Sequence, residues 1–286
     1  MWIAFAFGSA FFAGVTAILA KCGIKNTDSD VATALRTVVV LVFSWLMVFL
    51  VGAQSEITWI DSKTLIFLIL SGVSTGASWL CYFKALQLGD VNKVTPIDKS
   101  STVLTMILAI IFLHEDFNVT KLVSIVLIAL GTYLMIQKKK RDTDKKENGL
   151  WFAYALASAV FASITSILSK VGMQTIHSNL GTAIRTVVVL LMAWVIVFIR
   201  RKQYTIAEID KKSWVYLVLS GMATGASWLC YYRALKLGPA SVVVPIDKLS
   251  ILVTIAFSYI VLGEKLTKKA VIGLIFVVAG TLLMLV

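Results

Sequence analysis

The chain has 286 residues and a net charge of +12; 59% of its residues are hydrophobic, and its mean hydropathy is +0.89. A chain this apolar cannot bury its hydrophobic side chains in one water-soluble core, so the composition predicts an all-α membrane protein. The basic residues do not indicate nucleic-acid binding, because they fall in short segments between apolar runs and not along one amphipathic face.

Apolar runs of about 20 residues, the length that crosses the hydrocarbon of a bilayer, recur along the whole chain. The first five are predicted at residues 2–20, 31–52, 64–87, 92–113 and 119–137. Five more are predicted at 150–171, 180–200, 213–236, 241–262 and 269–286. The sequence therefore predicts ten transmembrane helices in two units, 1–137 and 150–286, joined by a charged linker at 138–149.

The two units are copies of each other. A shift of 149 positions aligns Arg36 with Arg185 and the segment Gly76-Ala-Ser-Trp-Leu-Cys-Tyr82 with Gly225-Ala-Ser-Trp-Leu-Cys-Tyr231, without a gap. Such identity indicates a tandem duplication. Because each unit holds an odd number of spans, the second must enter the membrane in the opposite orientation. Two inverted five-helix repeats are typical of secondary transporters, which bind substrate near the midplane between the repeats.

Charged loops predict the orientation. Most basic residues fall in the odd-numbered loops, notably Lys138 to Lys146 and Arg200 to Lys202. The positive-inside rule then places the odd-numbered loops in the cytoplasm and both termini outside a cell membrane.

The duplicated unit also carries the motif Tyr82-Phe-Lys-Ala-Leu-Gln-Leu-Gly89 before Pro96, repeated as Tyr231-Tyr-Arg-Ala-Leu-Lys-Leu-Gly238 before Pro245. In these features, and in the span ends at Glu115 and Glu264, the whole chain resembles the drug/metabolite transporter superfamily in its ten-span EamA form. The resemblance implies transport of small metabolites or drugs, without indicating which, and it implies cytoplasmic termini, against the loop charges. The chain departs from the family pattern where charged pairs follow the two prolines.

These charged pairs, Asp98-Lys99 and Asp247-Lys248, are the main candidates for a substrate site. Charged side chains at bilayer depth cost about 2.5–3.5 kcal/mol each on insertion scales, so they are tolerated mainly inside a bundle or beside a wet cavity. Ser101 and Ser250 follow one turn later on the same helical face. A carboxyl group in such a cavity can exchange protons near neutral pH, so proton coupling through the two acids is a hypothesis. The alternative is that the pairs only fix helix register.

Spans three and eight supply further candidates. Ser78 and Ser227 are predicted to face the cavity. Trp79, Tyr82, Trp228 and Tyr231 would give it apolar walls and cation–π faces, although an aromatic belt at the membrane interface explains them equally well. The Gly-x-x-x-Gly spacing beside them indicates a close approach of a neighbouring helix.

Other polar residues have simpler interpretations. For Arg36 and Arg185 we favour snorkelling to the headgroups or pairing at a helix end over an anion-binding gate. Glu115 and Glu264 are predicted to pair in loops. His114 and His177 are predicted to be solvated loop residues. The prolines are expected to break spans four and nine just before each Asp.

The sequence contains no nucleophile–base pair, metal-ligand cluster or phosphate-binding glycine loop, so it predicts no enzyme activity, no metal and no cofactor. We therefore expect a secondary transporter working by alternating access, with a small polar, zwitterionic or cationic metabolite or drug-like substrate. Its partners would be that small molecule and the lipid bilayer, as a monomer or homodimer, without nucleic acid. The alternatives are a passive facilitator of the same fold and a membrane scaffold or sensor.

Overall fold

The computed structural model of the chain describes residues 1–23, 27–88, 94, 97–135, 150–262 and 267–285. These residues form eleven α-helices and two short 3-10 helices, Ala53–Trp59 and Gln203–Glu208. The first unit contains α1 (Trp2–Gly23), α2 (Ser29–Leu50), α3 (Ser62–Leu88), α4 (Ser101–Phe112) and α5 (Val119–Met135). The second contains α6 (Leu150–Gly172), α7 (Ser178–Ile199), α8 (Lys211–Leu237), α9 (Ala240–Lys248), α10 (Ser250–Leu262) and α11 (Lys268–Leu283). The predicted linker 138–149 lies outside the described residues.

Several helices have the length and composition to cross a membrane. In the described part of the chain there are six such stretches: Trp2–Ala20, Ser29–Leu50, Ser62–Leu88, Leu150–Gly172, Ser178–Ile199 and Ala240–Phe257. Helical elements and membrane-spanning lengths thus confirm the prediction of an all-α membrane protein.

Glycines set how closely the helices pack. Helix α3 lies against α6 and α7, and α8 lies against α1 and α2. A Cβ added at Gly72 would lie 2.7 Å from the Val188 Cβ, and one at Gly221 would lie 2.6 Å from the Val39 Cβ. Only a residue without a side chain allows these approaches, which confirms the interpretation of the Gly-x-x-x-Gly spacing.

The corresponding helices α2 and α7 run antiparallel. Arg200, just after α7, donates a hydrogen bond of 2.8 Å to Asp30 at the start of α2. The backbone N–H of His177, just before α7, donates to Glu56, just beyond α2. The bundle therefore has two ends. We call the end with Arg200 and Asp30 the Asp30 end. We call the end with His177 and Glu56 the Glu115 end, because Glu115 also lies at that end.

The helix break in span nine lies after the charged pair, not before it as predicted. Pro245 is inside α9, which continues through Asp247 to Lys248 before the chain turns at Leu249. Proline removes one backbone donor and clashes with the preceding turn. The helix tolerates Pro245 because it begins at Ala240, so little helix precedes the proline. In the first unit the turn falls at the matching Ser100, while Pro96 lies outside the described residues.

Candidate functional site

Each Asp of the charged pairs lies in a small cluster of hydroxyl groups. In the Asp98 cluster, Ser158 Oγ donates to Asp98 Oδ1 at 2.9 Å and lies 3.2 Å from Ser78 Oγ. The Ser78 hydroxyl also donates to the Ser158 carbonyl at 3.0 Å. These contacts tie helices α3 and α6 to the residues that precede α4.

The Asp247 cluster repeats this arrangement 149 positions away. Ser9 Oγ donates to Asp247 Oδ1 at 2.5 Å and lies 3.3 Å from Ser227 Oγ. The Ser227 hydroxyl donates to the Ser9 carbonyl at 3.1 Å. Both clusters thus combine two residues of one unit with a serine of the other unit.

The sequence identified the two acids and Ser78 and Ser227, but it missed Ser9 and Ser158. Their only signal is that they align with each other at a separation of 149 positions. Periodicity assigns a residue to a helical face, but it does not say which distant helix that face meets. The pairing depends on the packing of α1 on α8 and of α6 on α3.

The lysines of the charged pairs share a neighbourhood. Lys248 Nζ lies 3.8 Å from Asp247 Oδ2, and the side chain of Lys248 is 48% exposed. The Lys99 ammonium lies within electrostatic range of both Lys248 and Asp98. The two predicted pairs therefore influence each other across the boundary between the units.

Ser101 and Ser250 accept hydrogen bonds through their backbone carbonyl groups. The Ser101 carbonyl accepts from Thr105 at 2.8 Å and from Ser163 at 3.2 Å. The Ser250 carbonyl accepts from Thr254 at 3.2 Å. The hydroxyl groups of Thr105 and Thr254 thus bond to the backbone of their own helices. Binding by Ser101 and Ser250 stays a prediction.

The four predicted aromatic residues differ in their surroundings. Trp79 packs against a buried cluster formed mainly by α2 and α7, and Tyr82 packs against a buried cluster that includes Ala85 and Ala155. Tyr231 lies 3.0 Å from the Ser166 hydroxyl, and Trp228 lies beside the guanidinium of Arg185. In the second unit, both aromatic residues therefore lie close to polar groups.

The expectation that Arg185 snorkels is wrong. Arg185 is 0% exposed. Its Nη2 donates to Thr75 Oγ1 at 2.8 Å and its Nε donates to Ser71 Oγ at 3.3 Å. The guanidinium lies 4.4 Å from the ring centre of Tyr232. Because Gly72 lets α7 approach α3 at this level, the short hydroxyl side chains of α3 reach the guanidinium.

Glu115 closes one end of the bundle. Its carboxylate accepts backbone N–H groups at the start of α9, from Ala240 at 2.6 Å and Ser241 at 2.9 Å, and the Lys170 ammonium at 2.9 Å. Burial raises the pKa of Glu115, but the hydrogen bonds from Ser241 and Lys170 outweigh burial and hold the pKa below its usual value. The predicted loop pairing of Glu115 is confirmed, and its counterpart Glu264 lies outside the described residues.

Long apolar helices around a polar interior define a multi-pass membrane protein, and the sequence comparisons identify its family. The sequence model of the EamA-like transporter family matches residues 1–137 and 149–286. The chain belongs to this family, as the resemblance indicated.

Across the described ranges there is no group of three or more His, Cys, Asp or Glu side chains that could hold a metal ion.

Similar proteins carry transporter names. A Sinorhizobium sp. protein described as an "Uncharacterized transporter in cobO 3'region" is 47% identical over 136 residues, which are 48% of this chain and 96% of the relative. The "Uncharacterized transporter YxxF" of Bacillus subtilis is 23% identical over 73% of this chain, and the match covers 66% of that protein. A solved crystal structure is 15% identical in sequence and has a TM-score of 0.75. The match covers 99% of this chain and 97% of the chain in that structure. This last likeness supports the fold alone.

Proposed function

We propose that the protein is a secondary transporter of a small polar metabolite or drug-like compound, working by alternating access between two inverted five-helix repeats. The antiparallel α2 and α7 support the inversion, because they are corresponding helices of the two units. A relative whose length is close to that of one unit supports the unit as the building block. Such a two-fold arrangement suits transport because the site must open to each side in turn.

The observation that carries the proposal is the pair of matching hydroxyl–carboxylate clusters. Each acid accepts a hydrogen bond from a serine of the other unit, so a rocking motion between the units would lengthen or exchange these bonds. A carboxylate that loses its donor can take a proton or a substrate group instead. This makes Asp98 and Asp247 the residues through which proton coupling would act, with Lys99 and Lys248 beside them.

We propose that the protein lies in the cell membrane with its odd-numbered loops in the cytoplasm, as the basic residues indicate. Labelling a cysteine placed at Thr143 by an impermeant reagent tests the orientation, since the linker should react only from the inside. The oligomeric state, monomer or homodimer, stays a prediction.

The test is uptake into liposomes by the purified chain. A thermal-stabilisation screen over amino acids, amines, sugars and nucleosides first finds a compound that binds. We expect D98N with D247N to lower its uptake at least tenfold and to abolish acceleration by a proton gradient. D61N with D210N is the matched control, because this exposed pair is also related by 149 positions and caps helix starts, which Asn does as well. The control should stay within twofold of the unchanged protein.

The outcomes separate the candidate functions. Uptake that is insensitive to D98N with D247N would remove the two acids from the mechanism. Saturable uptake that depends on the acids but not on any ion gradient would identify a passive facilitator. A folded protein without flux of any compound that binds would favour the scaffold or sensor.

A further inference from the structure

We propose that Arg36 and Arg185 are carboxylate-binding residues, one in each repeat, and that the transported compound is an organic carboxylate. This inference rests on the proposed transport function, because the ligand must reach a site inside the bundle. It departs from the zwitterionic or cationic substrate that the paired Asp and Lys residues favour.

The first observation is a buried cation without an anion. Among the described residues, the Arg185 guanidinium contacts hydroxyl groups and aromatic rings. Its Nη1 is buried and has no hydrogen-bond partner there. A guanidinium carries five N–H donors and stays charged in proteins. Burying it beside neutral groups only is unfavourable. The unfilled donor and the uncompensated charge both fit an anionic ligand.

The second observation is that the first unit repeats this arrangement. Arg36 Nη2 donates to Thr224 Oγ1 at 3.0 Å, as Arg185 Nη2 donates to Thr75. Thr224 Oγ1 lies 3.3 Å from Thr16 Oγ1, as Thr75 Oγ1 lies 3.4 Å from Thr165 Oγ1. Arg36 Nε is also buried without a partner. Each repeat therefore leaves one buried guanidinium donor open next to its pair of threonines, Nε in Arg36 and Nη1 in Arg185.

The third observation concerns the total charge at membrane depth. Six Asp, Lys and Arg side chains lie about one and a half to two turns inside their predicted spans: Arg36, Asp98, Lys99, Arg185, Asp247 and Lys248. Two carboxylates stand against four cations, which leaves a net charge of +2. Each Asp has the adjacent Lys of its pair close by, so the surplus belongs to the two guanidinium groups. A cavity with this surplus attracts anions and disfavours cationic amines.

The guanidinium geometry favours a carboxylate. Its planar fork matches the two oxygens of a carboxylate with two parallel hydrogen bonds. A single guanidinium with neutral hydroxyls balances one negative charge, whereas a phosphate dianion would leave a second charge uncompensated. Arg185 is fully buried while Arg36 is partly exposed, so in this conformation Arg36 is the open site and Arg185 the closed one. The repeats would exchange these roles during the cycle.

The test compares four probes on the purified full chain: butanoate, butanamide, butylamine and inorganic phosphate. Thermal stabilisation gives an apparent Kd for each probe. We expect butanoate to bind at least tenfold more tightly than the amide, amine or phosphate. R36Q should weaken butanoate binding at least tenfold, R36K should weaken it less because the charge remains without the fork, and K84Q, at an exposed position on α3, should leave it unchanged.

R185Q adds a readout that a structural role would not give. If Arg185 is held for a ligand, R185Q should weaken butanoate binding and leave the Tm of the ligand-free protein unchanged or higher, because an uncompensated charge is removed. A lower Tm with unaltered probe binding would overturn the proposal, as would equal stabilisation by the amine or amide, or none by butanoate. Should R185Q not fold, R36Q decides alone. Binding of butanoate that needs Arg36, without flux of any compound, would remove the transport function and leave the two arginines as carboxylate-binding residues. Flux of amines that is unaffected by R36Q and R185Q would keep the transport function and overturn this inference.

Discussion

The residue before α7 shows how a duplicated position can acquire a different chemistry. In the first unit Asp28 caps α2 and accepts the Asp30 N–H at 3.0 Å. Its counterpart before α7 is His177, whose Nδ1 accepts the Asn179 N–H at 3.3 Å. His177 is therefore a loop residue as expected, but it is half-buried and caps a helix instead of being fully solvated, whereas His114 is exposed as expected. Only the neutral imidazole can accept this hydrogen bond.

Protonation of His177 should weaken the fold. Burial, followed by the nearby Arg233, lowers the pKa of His177, with Lys236 acting in the same direction and Glu56 against it. Because the folded pKa lies below the unfolded value, this contribution to stability is fully present above about pH 6.5 and is lost as the pH falls through the folded pKa. We expect H177N, which keeps a capping acceptor that does not titrate, to remove this dependence.

The measurement for His177 is the free energy of unfolding of the detergent-purified chain between pH 5 and 8, taken as the difference between the unchanged protein and H177N. The difference should favour H177N increasingly towards pH 5, by about 1 kcal/mol, the usual worth of a helix cap. A difference that is constant with pH would show that His177 does not titrate in this range.

Among single residues, the sequence indicated Asp98 and Asp247 because a charge in an apolar run is conspicuous by itself. It did not indicate Ser9 or Ser158, since serine is common on packed membrane helices and its role depends on the partner helix. Arg185 was misassigned for a related reason. Its distance from a helix end fits snorkelling, and only the packing of α3 and α8 around it decides the matter.

Helices α5 and α11 approach each other closely, backbone against backbone. A Cβ at Gly131 would lie 2.6 Å from the Gly273 carbonyl oxygen, and a Cβ at Gly273 would lie 2.6 Å from the Gly131 carbonyl oxygen. Backbone atoms cannot rotate away as a side chain can. Gly280, the counterpart of Gly131, meets Ser124 in the same way, with its nearest backbone atom at 3.0 Å.

Alanine substitutions along these helices should give a graded loss of stability. We expect G131A and G273A to cost about 1–3 kcal/mol, the usual cost of overpacking, and G280A to cost less because side chains are its nearest neighbours. The control is G8A, where the added Cβ would meet Cys230 Sγ at an ordinary 3.6 Å. Thermal unfolding in one detergent ranks the four variants, and equal stability of G131A and G8A would contradict the crossing.

The helices themselves were predictable because hydrophobic length is a strong signal, and the observed α2, α6 and α7 begin and end within a few residues of the predicted spans. The break in span nine was misplaced by a few residues. Proline predicts where a helix is weakened, but the residue at which the chain turns depends on the contacts that follow, here those of Asp247 with α1.

Over the whole molecule, one carboxylate connects helices of both repeats at one end of the bundle. At the Glu115 end, one carboxylate joins α4 to the start of α9 and to Lys170 of α6. Lys170 also donates to the Gly238 carbonyl at 2.7 Å. Helices of both repeats meet at this single group, so a transporter working by alternating access must break these bonds once in each cycle.

A disulfide across this contact should therefore stop transport. In a chain without Cys22, Cys81 and Cys230, we expect oxidation of E115C with S241C to lower liposome uptake at least tenfold and reduction to restore it. The reduced form of the same variant is the reference, which separates cross-linking from the loss of Glu115. The pair N92C with E264C, at the matching positions outside the described residues, should behave alike if the repeats are equivalent and each end opens in turn. Complete cross-linking at Glu115 with undiminished uptake would mean that this end never opens, and the two-repeat mechanism would then be wrong for this chain.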